Sequence, residues 1–512
     1  MSQPPTSHNR PWREIVQPFI DLVRAPRALW GVNLSYLLEG LAYFGVLGYL
    51  TLYFSEFVFR GVAGPETWAH NMVMVLTAGI TIAMFFLGFV ADKKGVRFAL
   101  VAALLLLLAG RMLISAAPTV LGLGPAGVGS ALHLLTMAGI ILVVVGYGMY
   151  QPAAYAAVRQ FTTPRTAGMA YAMLYALMNL GGWLPTFAFL LRDQRFLGLG
   201  IPGVFWVYTG VTALGLMSVL LILTPRVVQQ TVEQAQTEKE AASEEKQQQA
   251  SVAQISGGVP LHLWFLMLGV VVLVWWRVPH PVNWYVAGTL TILWVAACWW
   301  KQSARWLSNH PLADGKFFFF IFAFIPAQTL FTYNWLVLPE YISRAFSGWV
   351  GKYFEIASNA NPLLIFILVP MVAALTQKRK VYNLMILGTL VMSLPAFLLA
   401  LDTSVWTLGA YILLMTVGEA IWQPRFLQYA AEIAPPGRTG QYMGVAQLPW
   451  FLTKMLVPML YSGWMMDHYC PAAPCAGART MWLIFACIAL TSSVLLFIAR
   501  PWLGRDFKSR AD

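Results

Sequence analysis

Arg226–Gly258 reads RVVQQTVEQAQTEKEAASEEKQQQASVAQISGG, the only long segment among 512 residues that is too polar to cross a membrane. Six apolar segments precede it; two and then six more follow. The sequence therefore divides into an N-terminal six-helix bundle (1–225), a cytoplasmic polar linker (226–258), an inserted transmembrane hairpin (259–300) and a C-terminal six-helix bundle (301–512). Gln, Glu, Ala and Lys favour helix, so the linker reads either as a helix beyond the sixth span or as a tether.

Composition places the rest in lipid. The chain is 59% hydrophobic and 11% charged, with mean hydropathy +0.65, whereas soluble domains carry about 25% charged residues. The apolar segments run from about 30–57, 71–91, 98–121, 132–157, 167–191 and 201–223, then 259–276 and 284–300, then 317–338, 357–375, 381–399, 406–431, 444–464 and 481–498. At 1.5 Å per residue each is of a length to cross about 30 Å of hydrocarbon. The expectation is an all-α polytopic membrane protein with 14 transmembrane helices.

With the N-terminus inside, cytoplasmic stretches collect 24 of the 33 Lys and Arg, including Arg10, Arg13, Lys93, Lys94, Lys378, Arg379, Lys380, Arg505 and Lys508. Outside loops collect seven, as the positive-inside rule requires. Both termini then lie in the cytoplasm, in a cell inner membrane. Net charge +12 is explained by loops facing anionic lipid and calls for no nucleic acid. The N-terminus lacks the basic-then-apolar order of a signal peptide. Four cysteines without repeated spacing argue against a disulfide framework or a zinc cluster, though Cys470 and Cys475 share one outside loop where a disulfide is possible. No nucleotide-binding, HExxH or GxSxG motif supports an enzyme, a cofactor or a metal. Trp275, Trp276, Trp284, Trp294, Trp299 and Trp300 mark the inserted pair as a hairpin on the outside of the bundle.

Ionisable residues within spans carry the functional signal, because each costs about 2.5 to 3.5 kcal/mol at a helix centre. Glu39 lies in the first span, Arg111 in the third, and Glu419 and Lys454 near the middle of two consecutive late spans. Equal depth makes Glu419 and Lys454 a candidate ion pair. Burial favours the neutral form of a carboxylate, so such a group can load a proton and release it when its cavity hydrates. Glu39 is the proton-coupling candidate. Glu419 is the candidate to meet an ammonium group, with Tyr43, Tyr147, Gln151, Tyr175, Asn179, Gln328 and Trp422 as further substrate-binding candidates. Arg111 and Lys454 are gating or structural candidates.

Gly88-Phe-Val-Ala-Asp92-Lys-Lys-Gly95-Val-Arg97, between spans two and three, resembles the cytoplasmic signature of the major facilitator superfamily. The resemblance implies two six-helix bundles related by a pseudo-twofold axis, a cavity opening to alternate sides, and gating or structural roles for Asp92 and Arg97. Glu39-Gly-Leu-Ala-Tyr43-Phe44-Gly45, Gly146-Tyr-Gly-Met-Tyr-Gln151-Pro152, Leu174-Tyr175-Ala-Leu-Met-Asn179-Leu-Gly181, Asn361-Pro362 with Pro370, and Gly418-Glu419 with Pro424 are similar to helices of the proton-coupled oligopeptide transporter family. Bacterial members of that family also carry two extra helices between the halves. Departures are clear: Tyr36 and Gly40 replace a glutamate and an arginine of the first-helix signature, Gln151 replaces a fourth-helix lysine, and Gln423 replaces a tenth-helix serine. The resemblance implies a divergent secondary transporter, a proton-coupled symporter of a peptide-like or amino-acid-derived solute acting as a monomer. Its alternatives are an exporter of drugs or metabolites and, in another class, a non-transporting receptor or scaffold.

Overall fold

The computed structural model describes residues 20, 23–62, 65–125, 127–163, 166–243, 258–352, 354, 357, 359–376, 379–435, 437–470 and 475–503. Both extreme termini, with Arg10, Arg13, Arg505 and Lys508, lie outside the described residues, as do Lys378 and linker residues 244–257. The described part is helical throughout. Helices α1 (Arg27–Leu52), α2 (Pro65–Leu87), α3 (Val96–Thr119), α4 (Ala131–Phe161), α5 (Ala167–Trp183) and α6 (Gly200–Ile222) follow the six early apolar segments. In lipid only closed backbone hydrogen bonding is tolerated, so apolar runs of this length have helix as their available form.

Glycine sets how closely α3 and α4 approach. A Cβ on Gly110 would stand 2.5 Å from the Gly139 carbonyl oxygen, and one on Gly139 would stand 2.6 Å from that of Gly110. Without a hydrophobic driving force between helices in lipid, this backbone contact supplies the packing. It also fixes the rotation of α3 and so the direction of Arg111, the next residue.

Pro225–Ser243 forms α7, which packs on α1 and α4 and buries Thr231 and Ala235. The first half of the linker is thus a docked surface helix. Leu261–Arg277 (α8) and Val282–Trp299 (α9) form the hairpin, which exposes Trp275, Trp276, Trp284, Trp299 and Trp300, while Trp294 packs edge-on to Trp264. His262 bonds the Leu312 carbonyl at 2.7 Å, and Arg277 donates to the Leu460 carbonyl. Lys301–Ser308 (α10) then runs into the later helices.

Those later helices are more broken. Gly315–Ala323 (α11), Ile325–Thr332 (α12), a π turn at Tyr333–Val337 and Leu338–Ala345 (α13) make one span. Ala360–Leu375 (α14), Val381–Ser393 (α15) and Val405–Glu432 (α16) follow. The segment expected at 444–464 is split into Thr439–Ala446 (α17), Leu448–Val457 (α18), a π turn at Pro458–Ser462 and Gly463–Tyr469 (α19), before Ala478–Ile498 (α20). Pro449 and Pro458 lack the N–H that would continue a regular helix. Cys470 and Cys475 are disulfide-bonded beyond α19.

Eleven helices among the described residues are long and apolar enough to span a membrane, against the expected fourteen. Two of the missing three, Leu261–Arg277 and Ala360–Leu375, are apolar but shorter. The third is the split segment. Where each half of the chain meets the other, α14 and α16 pack on α5, α17 packs on α4 and α2, and α18 packs on α2.

Candidate functional site

Glu39 and Arg111 form a bidentate ion pair across 72 positions of sequence, Nη2 to Oε1 at 2.6 Å and Nη1 to Oε2 at 2.7 Å. Their exposures are 1% and 2%, so the pair has no solvent screening to weaken it. Arg111 Nη1 also donates to Thr212 Oγ1 on α6. Loss of the two neighbouring charges of the first-helix signature therefore does not leave Glu39 alone. Its counter-ion comes from the third span. Thr212 was missed, since one threonine in an apolar run carries no distinguishing signal.

Directly beside this pair lies a small cavity lined by Tyr43, Val46, Leu50, Leu76, Arg111, Ile114, Ile140 and Val143. Arg111 Nε and the Tyr43 hydroxyl are buried and have no protein partner. Tyr43 stacks on Tyr147 at 4.6 Å between ring centres. Tyr36 donates to the Tyr155 hydroxyl at 3.1 Å, and the Ser35 and Tyr150 hydroxyls bond at 2.7 Å. A tyrosine-rich wall from α1 and α4 thus surrounds the pair. Gln151, within it, is 2% exposed and its Oε1 is unpartnered.

Glu419 stands in a different setting. Its Oε1 accepts from the Tyr175 hydroxyl at 2.5 Å and its Oε2 from Asn361 Nδ2 at 2.8 Å. Asn361 also donates to Thr416 Oγ1 at 3.0 Å. Tyr175 belongs to α5 and Asn361 to α14, so this carboxylate joins both halves of the chain through neutral donors. Asn361 was quoted only as part of a helix motif; its position at the first turn of α14 is what aims it at Glu419.

Lys454 does not pair with Glu419, which corrects the expectation drawn from equal depth. Its Nζ lies 3.4 Å from the ring centre of Trp450 and 5.5 Å from that of Phe451. Trp450 precedes it by one helical turn, so the side chain folds back along its own helix. Trp422 is also placed differently from a cavity-lining role: it is fully buried, stacks on Phe324 at 4.8 Å and donates to Met392 Sδ. Asn179 turns to the Tyr175 carbonyl at 3.0 Å. Gln328 is buried with both amide atoms unpartnered.

At one end of the bundle, where α2 leads into α3, the halves are tied together. Asp92 accepts from the backbone N–H of Gly440 at 2.8 Å and of Gln441 at 2.9 Å, at the start of α17. A carboxylate there satisfies orphan donors and meets the positive end of the helix dipole. A Cβ on Gly440 would come within 2.4 Å of the Gly88 carbonyl oxygen, so this contact demands glycine. Arg159, unremarked in the sequence, donates to the Ala434 carbonyl at 2.9 Å and to Thr439 Oγ1 at 2.6 Å. Arg97 ties to the Leu223 carbonyl at 2.6 Å, within the first half. A further clasp is aromatic: Trp306 and His310, just after the hairpin, pack on Phe85 of α2.

The profile of the Major Facilitator Superfamily matches residues 67–458. The chain belongs to that superfamily. It is accordingly a secondary transporter rather than an enzyme. Solved structures of the same fold include the proton:xylose symporter XylE bound to 6-bromo-6-deoxy-D-glucose, with TM-score 0.60, 13% identity, and 93% of this chain and 95% of that chain covered. A POT family transporter in complex with 5-aminolevulinic acid gives TM-score 0.57 and 17% identity, covering 93% and 97%. Another POT family transporter, in complex with a thioalcohol conjugated peptide, gives TM-score 0.59 and 18% identity over 93% and 97%. Comparison with curated protein sequences finds no significant match.

Proposed function

We propose that this facilitator is a proton-coupled symporter of a small peptide-like or amino-acid-derived solute. The observation that carries the reading is the buried Glu39–Arg111 pair, a protonatable carboxylate on the first span held against a fixed cation on the third. Protonation of Glu39 removes the attraction that holds Arg111 and frees its donors, so a proton loosens the side-chain link between α1 and α3. Glu419, bound by Tyr175 of one half and Asn361 of the other, is the cargo-facing carboxylate. An ammonium group at Glu419 competes with those two neutral donors and so loosens or tightens the contact between halves. Asp92 and Arg159 act as the cytoplasmic gate that has to part for inward opening. The similarity in fold to proton:xylose and POT family transporters supports the reading.

In this reading the two shorter apolar helices and the split segment also cross the membrane, giving fourteen spans in six, two and six. Both termini and the linker face the cytoplasm, and one copy in the cell inner membrane suffices for transport. The hairpin is peripheral. Export of an amphiphilic drug or metabolite is the second reading, favoured by the tyrosine-rich wall around Glu39.

Purified protein in liposomes provides the test. Counterflow is screened across dipeptides, amino acids, sugars, nucleosides and amphiphilic drugs, and the positive solute is then followed with and without an imposed pH gradient. The symporter reading requires saturable flux and gradient-driven accumulation in the direction of the protons. Extrusion against the protons selects the exporter, and no flux for any class selects a receptor or scaffold.

A further inference from the structure

We propose that protons reach Glu39 by an entrance of their own inside the first half of the chain, through the small cavity beside the Glu39–Arg111 pair, separate from the path that cargo takes between the halves. The proposal rests on the symporter reading above and names the route of the proton. Every lining residue of that cavity belongs to α1, α2, α3 or α4 of the first half. About 10 Å³ is open to the centre of a water molecule, which is room for one. A path enclosed in this way does not depend on which side the halves have opened.

Spacing extends the cavity beyond its lining. On α1 the lining residues Tyr43, Val46 and Leu50 recur at intervals of three and four, and the next position in that series is Tyr53, at the start of a π turn. On α4 the lining residues are Ile140 and Val143, and the same series runs back to Thr136 and His133 and on to Tyr147. Residues at these intervals share one face of a helix. Tyr43 stacks on Tyr147 at one end of the two series, and Tyr53 interacts with Thr136 at the other. Each end carries orphaned polar atoms. The Tyr53 and Thr136 hydroxyls have no hydrogen-bond partner among the described residues, and neither do the Tyr43 hydroxyl and Arg111 Nε beside Glu39. All four residues are buried. A buried polar group left unpaired is costly, and water is the partner that both ends of the cavity lack.

His133 stands at the mouth, with its ring centre 5.0 Å from that of Phe59 and its Nε2 3.3 Å from Met72 Sδ. This end of α4 is opposite the one where Arg159 ties the halves together. In the orientation of the symporter reading it faces outside, where the protons are supplied. The middle of the route is apolar, so a proton passes only while water bridges it. Hydronium at the mouth gives up its proton along water and hydroxyls, each carrier regains the proton that it passes on, and the last transfer ends on a Glu39 oxygen. Arg111 stays charged throughout. The other ionisable groups that interact with the pair are Tyr43 of α1 and Tyr147 and Tyr150 of α4, while α6 contributes the neutral Thr212. Tyrosines are neutral at physiological pH, which leaves Glu39 as the group that stores the proton.

Two measurements on the full-length protein in detergent test the route, one for water and one for the proton. Brief X-ray exposure makes hydroxyl radicals from water lying against a side chain, and tandem mass spectrometry identifies the oxidised residue. Tyr43 and Tyr53 should oxidise about 10-fold faster than Tyr411, which is equally buried but donates its hydroxyl to Asn334. Infrared spectroscopy then follows the Glu39 carboxylic acid band, assigned as the one missing from Glu39→Gln, on acidification and on transfer to heavy water. Ile140→Phe fills the cavity and should slow deuteration of that band about 10-fold. Val143→Ile, which adds a single methyl group to the wall, serves as the readout should the phenylalanine variant fold poorly. Oxidation of Tyr43 at the rate of Tyr411, or parent-like deuteration in the folded cavity-filling variants, overturns the proposal and leaves the symport reading standing. A parent protein that shows no Glu39 acid band at any pH overturns the symport reading, and the route with it.

Discussion

The early and late helices handle buried charge in opposite ways. In the early helices Glu39 is matched to Arg111 with two short hydrogen bonds. In the late helices Glu419 and Lys454 do not pair, and meet neutral donors and aromatic rings instead. The first arrangement neutralises its charges within the protein; the second leaves Glu419 and Lys454 without an ion-pair partner among the described residues. In the proposed reading, the first responds to protons and Glu419 to cargo.

The sharpest way to break this contrast is to remove one partner on each side and compare the damage. Arg111→Met strands a buried carboxylate and should cost about 3 to 5 kcal/mol in stability, read from thermal or denaturant unfolding in detergent. The double variant Glu39→Gln/Arg111→Met should be less destabilised than the two single changes together, because each single change leaves the other charge unpaired. Additive losses would mean that the pair does not act as a unit.

Glu419→Gln should do much less to stability, about 1 kcal/mol, since an amide oxygen still accepts from one of Tyr175 and Asn361. Its effect belongs to binding. Affinity for dialanine should fall about 10- to 100-fold, with no loss for the N-acetylated form that lacks the amine. A loss of several kcal/mol in stability, as at Arg111, would erase the distinction between the two regions.

The smallest effect concerns pH at the aromatic clasp of Phe85, Trp306 and His310. Burial, aided by the Arg438 charge, pushes the His310 imidazole down from 6.5 to about 3. The folded protein therefore keeps this ring neutral while the unfolded chain takes up a proton below pH 6.5. Stability should decline as pH falls through that window, by about 1.4 kcal/mol at pH 5.5. Comparing unfolding of the parent protein and His310→Gln at pH 8 and 5.5 checks it: the variant should lose this component, and the pH profile of transport should stay as in the parent. A moved transport profile would place a coupling group outside the spans.

Much of the architecture was legible because lipid leaves so few choices. Runs of about 20 apolar residues identify the early helices, and the cost of burying charge singles out Glu39, Arg111, Glu419 and Lys454. What the sequence hides is direction around each helix axis. Glu39 and Arg111 meet because the Gly110–Gly139 contact rotates α3 toward α1, a fact carried by glycines that look ordinary in an apolar run. Glu419 and Lys454 were matched by depth, but α18 begins at a break after Gln447 and its lysine folds back over Trp450. Trp422 was drawn into the cavity by its residue type, whereas Phe324 and Met392 already occupy its ring face and N–H. Breaks at Pro449 and Pro458 likewise explain why one expected span falls into pieces.

The central claim is that the Glu39–Arg111 pair converts proton binding into movement of the halves, and Glu39→Gln in liposomes tests it most directly. With dialanine, or whichever solute the counterflow screen returns, the variant should exchange solute across the membrane while losing accumulation under an imposed pH gradient. Accumulation in Glu39→Gln with the pH dependence of the parent protein would contradict the account.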